Sequence, residues 1–331
     1  MRWSVWSLFP AIALSGLLAP AIASAGAPSV DAGQLLQRIQ AAASRSNYEG
    51  TIVYSAGGLL SSSRVAHYGV GKQTYDRVEA LDGRQQRVFR LDGAVHTVWP
   101  KEHVVVVEQR TPLTGLPSTM QAVGPRALEH YAVEPEGSDR IAGREADVYL
   151  LQPRDGLRYA QRFWADRATG LMLRSDVIGA DHAVLESTAF SEVRIGVKPQ
   201  PASVVQALQQ LAGYRVERPL QQRTSLAEQG WALDHPVPGF RLAGCVKRTL
   251  GAGADSAAEP RVVQAVYSDG LTHVSIFIEP AGLPSDDEQL GGRIGATSTL
   301  RQRRGDEWIT LMGDVPASTL KLFAVALERR R

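Results

Sequence analysis

Seven histidines (67, 96, 103, 130, 182, 235 and 273) and a single cysteine, Cys245, are the side chains of this 331-residue sequence best suited to metal, acid–base or nucleophilic chemistry. Their spacing supports none of it. The sequence contains no H-E-x-x-H, no paired C-x-x-C, no Gly-Lys-Ser phosphate loop and no G-x-S-x-G elbow. His96 and His103 fall on adjacent predicted strands, and the pair reads as coincidence rather than a metal site. Asp181 and Glu186 flank strands with no sign of a paired acid and base, and Asp306-Glu307 reads as a turn. Cys245 sits in the strand-like run FRLAGCVKR, where it packs as a small hydrophobe. A nucleophilic role would need a base and an electropositive setting that its neighbours do not advertise. One cysteine excludes an intramolecular disulfide and leaves an intermolecular one as the alternative. The expectation is a chain with no catalytic residues, no metal and no cofactor, whose chemistry is binding.

The composition, 44% hydrophobic and 21% charged, is that of a soluble globular protein long enough for two cores. A net charge of +2 makes no case for nucleic acid, and the arginines at 301, 303, 304 and 329–331 read as solvated faces. At the N-terminus, Arg2, an apolar middle and the small residues Ala23-Ser24-Ala25 make a secretory signal peptide. Pro10 and Pro20 leave the apolar run short of the roughly 20 residues that span a bilayer, against the alternative of an uncleaved anchor. No cysteine lies near the cleavage point to carry a lipid. The mature protein is therefore expected to be exported and soluble.

After the signal, Leu35, Leu36, Ile39 and Ala43 share one helical face, with Ser29 or Asp31 as N-cap. Short alternating runs from Tyr48 to Val107, with Asp82-Gly83 and Asp92-Gly93 between them, predict an up-and-down antiparallel meander. The Pro/Gly-rich stretch 111–125 cannot continue the ladder and is a place for a lid. Strands resume through residue 195, which suggests a strongly curved sheet beside the first helix, either packed inside or left open as a pocket. The predicted division is a signal peptide over 1–25, a β-rich domain over 26–197, a connection over 198–225 with a short helix at Ala202–Leu211, and a smaller α+β domain over 226–331.

The stretch VVQAVYSDGLTHVSIFIEP (262–280) predicts a hairpin about Asp269-Gly270. With those two as the loop, Tyr267 stands opposite Thr272, Ala265 opposite Val274 and Val263 opposite Ile276 on an apolar face. The other face sets Val266 beside His273 and Val262 beside Phe277. The apolar face is expected to pack on a C-terminal helix through Leu320, Phe323 and Leu327. Aromatic and aliphatic strand residues are candidates either for core or for a ligand cavity: Tyr54, Val88, Phe89, Val98, Trp99, Phe163, Trp164 and Leu173. Trp231, Phe240 and Trp308 in the second region carry the same ambiguity between glue and partner anchor.

The stretches EALDGRQQRVFRLDG, GREADVYLLQPRDGLRYAQRFWADRATGLMLRSDV, W…PVPGFRL, VYSDGLTHVSIFIEP and ITLMGDVPASTLKLFAVAL occur in this order. As an ordered set covering the whole chain, they resemble the MucB/RseB family of periplasmic regulators of the envelope-stress sigma factor. The resemblance implies an α+β chain whose N-terminal domain is a LolA/LolB-like open antiparallel β-barrel around a helical plug, followed by a linker and a smaller C-terminal domain. It also implies a non-enzymatic function. Such a protein binds the periplasmic domain of a membrane anti-sigma factor of the MucA/RseA type and shields it from proteolysis, and lipopolysaccharide or lipoprotein acyl chains in the first domain relieve this. On that expectation the partner surface includes Trp231, Phe240, Val266, His273 and Phe277. The alternative is a periplasmic lipid or lipoprotein carrier without an anti-sigma partner, which would have no need of the second domain. A homo-oligomer is possible under either reading. The segments 111–124 and 251–259 depart from the family pattern.

Overall fold

The computed structural model describes residues 31–91, 93–109, 125–249, 261–281 and 291–330. The expected signal peptide, the turn residue Asp92 and the loops over 111–124 and 251–260 lie outside them. Asp31 starts helix α1 (Ala32–Arg45) by accepting the Gln34 amide at 3.1 Å. The helix buries Leu35, Leu36, Ile39 and Ala42. Ala42 takes the place expected of Ala43, because spacings of four and three continue the stripe from Leu35 and Ile39.

The strands that follow are β1 (Tyr48–Ala56), β2 (Leu59–Val70), β3 (Gln73–Ala80), β4 (Arg87–Leu91), β5 (Ala94–Trp99) and β6 (Val104–Gln109). After a 3-10 turn at Pro125–Glu129 come β7 (Tyr131–Ile141), β8 (Arg144–Pro153), β9 (Ala160–Asp166), β10 (Met172–Ile178) and β11 (Val184–Ile195). Alternation builds them: on β11, Glu186, Thr188 and Phe190 are buried while their neighbours are not. The sheet runs β6-β5-β4-β3-β2-β1-β11-β10-β9-β8-β7, antiparallel throughout. Helix α1 touches both β2 and β10, which brackets β1 and β11, so the sheet curls around it. Among the described residues the ends of the sheet do not pair with each other, leaving an open barrel with a helical plug.

The stretch expected to be a connection is partly built into this first unit. Helix α2 (Pro201–Gln209) sets Val204 and Leu208 on Phe89, Val98 and Val105, and β12 (Arg215–Glu217) pairs parallel with β6. The chain then crosses to a second sheet through β13 (Gln221–Arg223). Its other elements are β14 (Trp231–Leu233), β15 (Arg241–Thr249), β16 (Arg261–Ser268), β17 (His273–Pro280), β18 (Gly291–Ile294), β19 (Thr297–Arg304), β20 (Glu307–Gly313), helix α3 (Ala317–Ala326) and β21 (Leu327–Arg329). The strand order is β13-β15-β16-β17-β20-β19-β18, with β14 and β21 forming a separate two-stranded ribbon. Leu320, Phe323 and Leu327 pack on Val263, Ala265, Tyr267, Val274 and Ile276, as the apolar face of the hairpin requires. Leu327 does so from the first residue of β21 rather than from the helix.

The plug is the element on which the first core closes. Leu36 is 2% exposed and packs with Tyr131, Leu151 and Phe163. Leu36→Ala is expected to cost about 2–5 kcal/mol in urea unfolding, because the surrounding strands cannot collapse into the space.

Candidate functional site

The hairpin of β16 and β17 has a four-residue loop, Asp269 to Thr272, not the two-residue turn expected. Ser268 pairs with His273, Tyr267 with Val274 and Gln264 with Phe277. The register is therefore shifted by two residues from the sequence reading, and an even shift keeps every side chain on its assigned face. The loop is closed by Asp269 itself, whose Oδ1 accepts the amides of Leu271 and Thr272, each at 2.8 Å.

This loop reaches the first domain. Asp269 Oδ2 accepts Arg158 Nε at 2.6 Å and the Tyr131 hydroxyl at 3.3 Å, and the side chains of Arg158 and Asp269 are both fully buried. Arg158 also pairs with Asp155, donates to the Pro238 carbonyl at 2.8 Å and lies 4.9 Å from the centre of the Phe240 ring. Burial, then the neighbouring Asp269 carboxylate, hold the Tyr131 phenol well above its ordinary pKa, so it stays a donor. Leu271 packs against the plug core of Leu35, Leu36, Ile39 and Ala127. Gly270 has φ of +101°, and a β-carbon there would lie 3.0 Å from the Ala127 nitrogen. Thr319 of α3 adds a hydrogen bond to the Leu157 carbonyl at 2.8 Å. Sequence reasoning missed this clamp. The available signal was Leu271, an apolar residue where a solvated turn would carry a polar one.

A second contact lies along β1 and β11. The turn between β18 and β19 presses on it so closely that a β-carbon on Gly295 would meet that of Ala56 at 2.6 Å. Tyr159, Val177, Leu185 and Ala296 form a small apolar cluster across this contact. Beside it, Ile52, Tyr54, Ser61, Ser63, Val78 and Glu186 of the first domain and Thr297 of the second line a cavity of about 310 Å³. Ile52 and Val78 belong to the apolar interior of the curved sheet, so the second domain stands at an entrance to that interior.

The candidate cavity residues do not share one space. Of the eight, Tyr54 lines the junction cavity. Phe163 belongs to the plug core, Trp164 and Leu173 to the core of β1, β2 and β8–β11, and Phe89 and Val98 to the contact with α2. Val88 is half-buried on the face opposite Phe89, and Trp99 is half-buried with Arg84 5.5 Å from its ring centre. Of the partner candidates, Trp231 is 1% and Phe240 5% exposed, both in the second core, where Phe240 meets Phe323 edge-on at 5.4 Å. They present little surface to a partner in this arrangement, although Trp231 lines a cavity with Arg304, Glu307 and Arg329. Val266, His273 and Phe277 are half-buried on the outer face of the second sheet, the face turned away from α3. Arg248 lies 5.7 Å from the Phe277 ring centre, and Arg301 lies 4.5 Å from that of Trp308 on the same face.

The side chains of the described residues form no cluster of three or more metal-ligating groups. Cys245 is buried, and burial, then Glu228, raise its thiol pKa, which keeps it a protonated core residue. The arrangement is suited to binding between and upon two coupled domains. Asp269→Asn retains the loop acceptor but strips the anion from buried Arg158. It is expected to lower stability by about 3 kcal/mol, and pairing it with Arg158→Met should recover most of that loss in thermal unfolding.

Residues 31–208 match the model of the MucB/RseB N-terminal domain and residues 225–328 that of the MucB/RseB C-terminal domain. The Sigma-E factor regulatory protein RseB of Haemophilus influenzae is 28% identical over 329 residues, covering 97% of this chain and 98% of that protein. The sigma factor AlgU regulatory protein MucB of Pseudomonas aeruginosa is 28% identical over 326 residues, covering 94% and 95%. Among solved structures, the MucA/MucB complex of Pseudomonas aeruginosa superposes with a TM-score of 0.68 at 25% identity, covering 91% of this chain and 100% of that one. The match is continuous across both domains and the segment joining them, and the chain belongs to the MucB/RseB family.

Proposed function

We propose that this chain is an exported periplasmic regulator of an envelope-stress sigma factor. It binds the periplasmic domain of a membrane anti-sigma factor of the MucA/RseA type and shields that domain from regulated proteolysis. Lipid entering the first domain relieves the inhibition. The observation that carries this reading is the likeness, over both domains, to a MucB solved together with MucA. A carrier of lipid alone has no use for the second sheet, which is clamped to the first domain through a buried ion pair.

The proposed partner surface is the outer face of the second sheet around Val266, His273 and Phe277. Helix α3 covers the inner face, while on the outer one Val266, His273 and Phe277 stay half-buried, and arginine-roofed aromatics are the kind of anchor that interfaces favour. Lipid is proposed to enter by the junction cavity, whose Ile52 and Val78 lead toward the apolar interior. Acyl chains there and the present closed junction compete for the same space, which is what mutually exclusive occupancy needs.

Calorimetric titration of the mature protein with the periplasmic domain of the cognate anti-sigma factor tests the reading. Saturable binding that added lipopolysaccharide weakens is the expected result, and absence of binding by a folded sample would sink it. Phe277→Ala should weaken binding about tenfold or more with little change in melting temperature. If affinity is unchanged, the interface lies elsewhere.

A further inference from the structure

Trp164 and Trp231 are both buried tryptophans flanked by an arginine, but their indole N–H groups differ in what they meet. At Trp164, Arg174 lies 4.5 Å from the ring centre and Nε1 donates to the Asp139 carboxylate at 3.1 Å. At Trp231, Arg329 lies 5.8 Å from the ring centre, and Nε1 is buried with no hydrogen-bond partner among the described residues. A buried indole N–H ordinarily finds an acceptor, and one without it calls for an explanation. Gln302, opposite Ile309 of the second core and on the same face of β19 as Arg304, likewise has its Nε2 buried and unpartnered.

Trp231 walls a cavity of about 520 Å³ together with Arg304, Gly305, Asp306, Glu307 and Arg329. The cavity lies between the turn joining β19 to β20 and the ribbon of β14 and β21. Glu307 pairs with Arg329, and Arg304 Nη2 donates to the Ala324 carbonyl at 2.9 Å. Among the described residues Arg304 has no ion pair, and Asp306 pairs with neither arginine. Arg303 and Arg330 are exposed alongside. What the cavity lacks is the group that completes Trp164, a carboxylate shared by an indole and its surroundings.

We propose that this cavity is an anchor site for an acidic side chain of a bound peptide, whose carboxylate accepts from Trp231 Nε1 and from Arg304. Such a carboxylate is ionised at neutral pH and offers two acceptor oxygens, and its bond to a guanidinium is charge-assisted. The position suits a peptide better than a free acid. Arg303 stands opposite Trp308, and Arg301 lies 4.5 Å from that ring, so the outer face of the second sheet begins at the same turn. A segment lying on that face has only to round the turn to place a side chain in the cavity. The site is built from this chain's own residues and does not rest on the identity of the partner proposed above.

Nuclear magnetic resonance of the mature chain, labelled at the tryptophan indole nitrogens, reads the site directly. The signals come from Trp99, Trp164, Trp231 and Trp308, and Trp164, already bound to a carboxylate, is the reference. Trp231→Phe assigns the Trp231 signal, and if that variant fails to fold, substitution of the other tryptophans assigns it by elimination. The probes, near neutral pH, are the blocked tripeptide acetyl-Gly-Glu-Gly-amide, its glutamine counterpart and acetate. The glutamate peptide should shift the Trp231 indole proton downfield and saturably, with the Trp164 signal unmoved and the other probes far weaker. Arg304→Gln, at an exposed position, should raise the half-saturating concentration about tenfold with the melting temperature unchanged. A Trp231 signal indifferent to the glutamate peptide would overturn the site, leaving the indole to a trapped water. An equal response to the glutamine peptide would overturn the carboxylate, and an equal response to acetate would overturn the peptide in favour of free small acids.

Discussion

Arg158 and Asp269 form a fully buried ion pair between two domains, and the geometry of the junction follows from satisfying it. Withdrawing both charges from water costs several kcal/mol per ion, so the pair persists only where every neighbouring group is aligned. Here Asp155, the Tyr131 hydroxyl, the Pro238 carbonyl and the face of Phe240 surround it, and Asp269 spends its second oxygen closing its own loop. Few placements of one domain on the other meet all these demands together. The pair therefore contributes more to specifying one arrangement than to net stability.

That constraint divides the hairpin of β16 and β17 into three parts with different tasks. Its inner face is core, packed on α3. Its tip is the clamp, with Leu271 inserted against the plug helix of the first domain. Its outer face keeps Val266, His273 and Phe277 half-buried. One rigid ribbon thus connects the plug of the open barrel with the proposed docking face, a mechanical link through which occupancy of one could be felt at the other.

Much of the fold was legible because strand alternation and tight turns are local properties. The helix over 32–45, the meander and the apolar character shared by Leu320, Phe323 and Leu327 all follow from residues close in sequence. The register of the hairpin did not, because Asp269-Gly270 satisfies the rule for a two-residue turn while the Asp269 side chain builds a longer one. Likewise, β12 has three residues and little pattern of its own, and it exists as a strand because β6 offers it a free edge.

The candidate sites divide in the same way. Residue types and spacing alone led to the expectation of binding rather than of a metal or nucleophilic centre, and the ordered stretches along the chain pointed to its family. Tertiary structure decided which aromatics are buried: Trp231 and Phe240 disappear beneath elements distant in sequence, and the eight cavity candidates scatter over separate cores. It also decided that Glu186, a strand-flanking acid in the sequence, is buried beside a cavity it lines together with Thr297 of the second domain. Face and periodicity are written in neighbouring residues, but burial and charge proximity are sums over every element that packs nearby, and those sums exist only once the chain has folded.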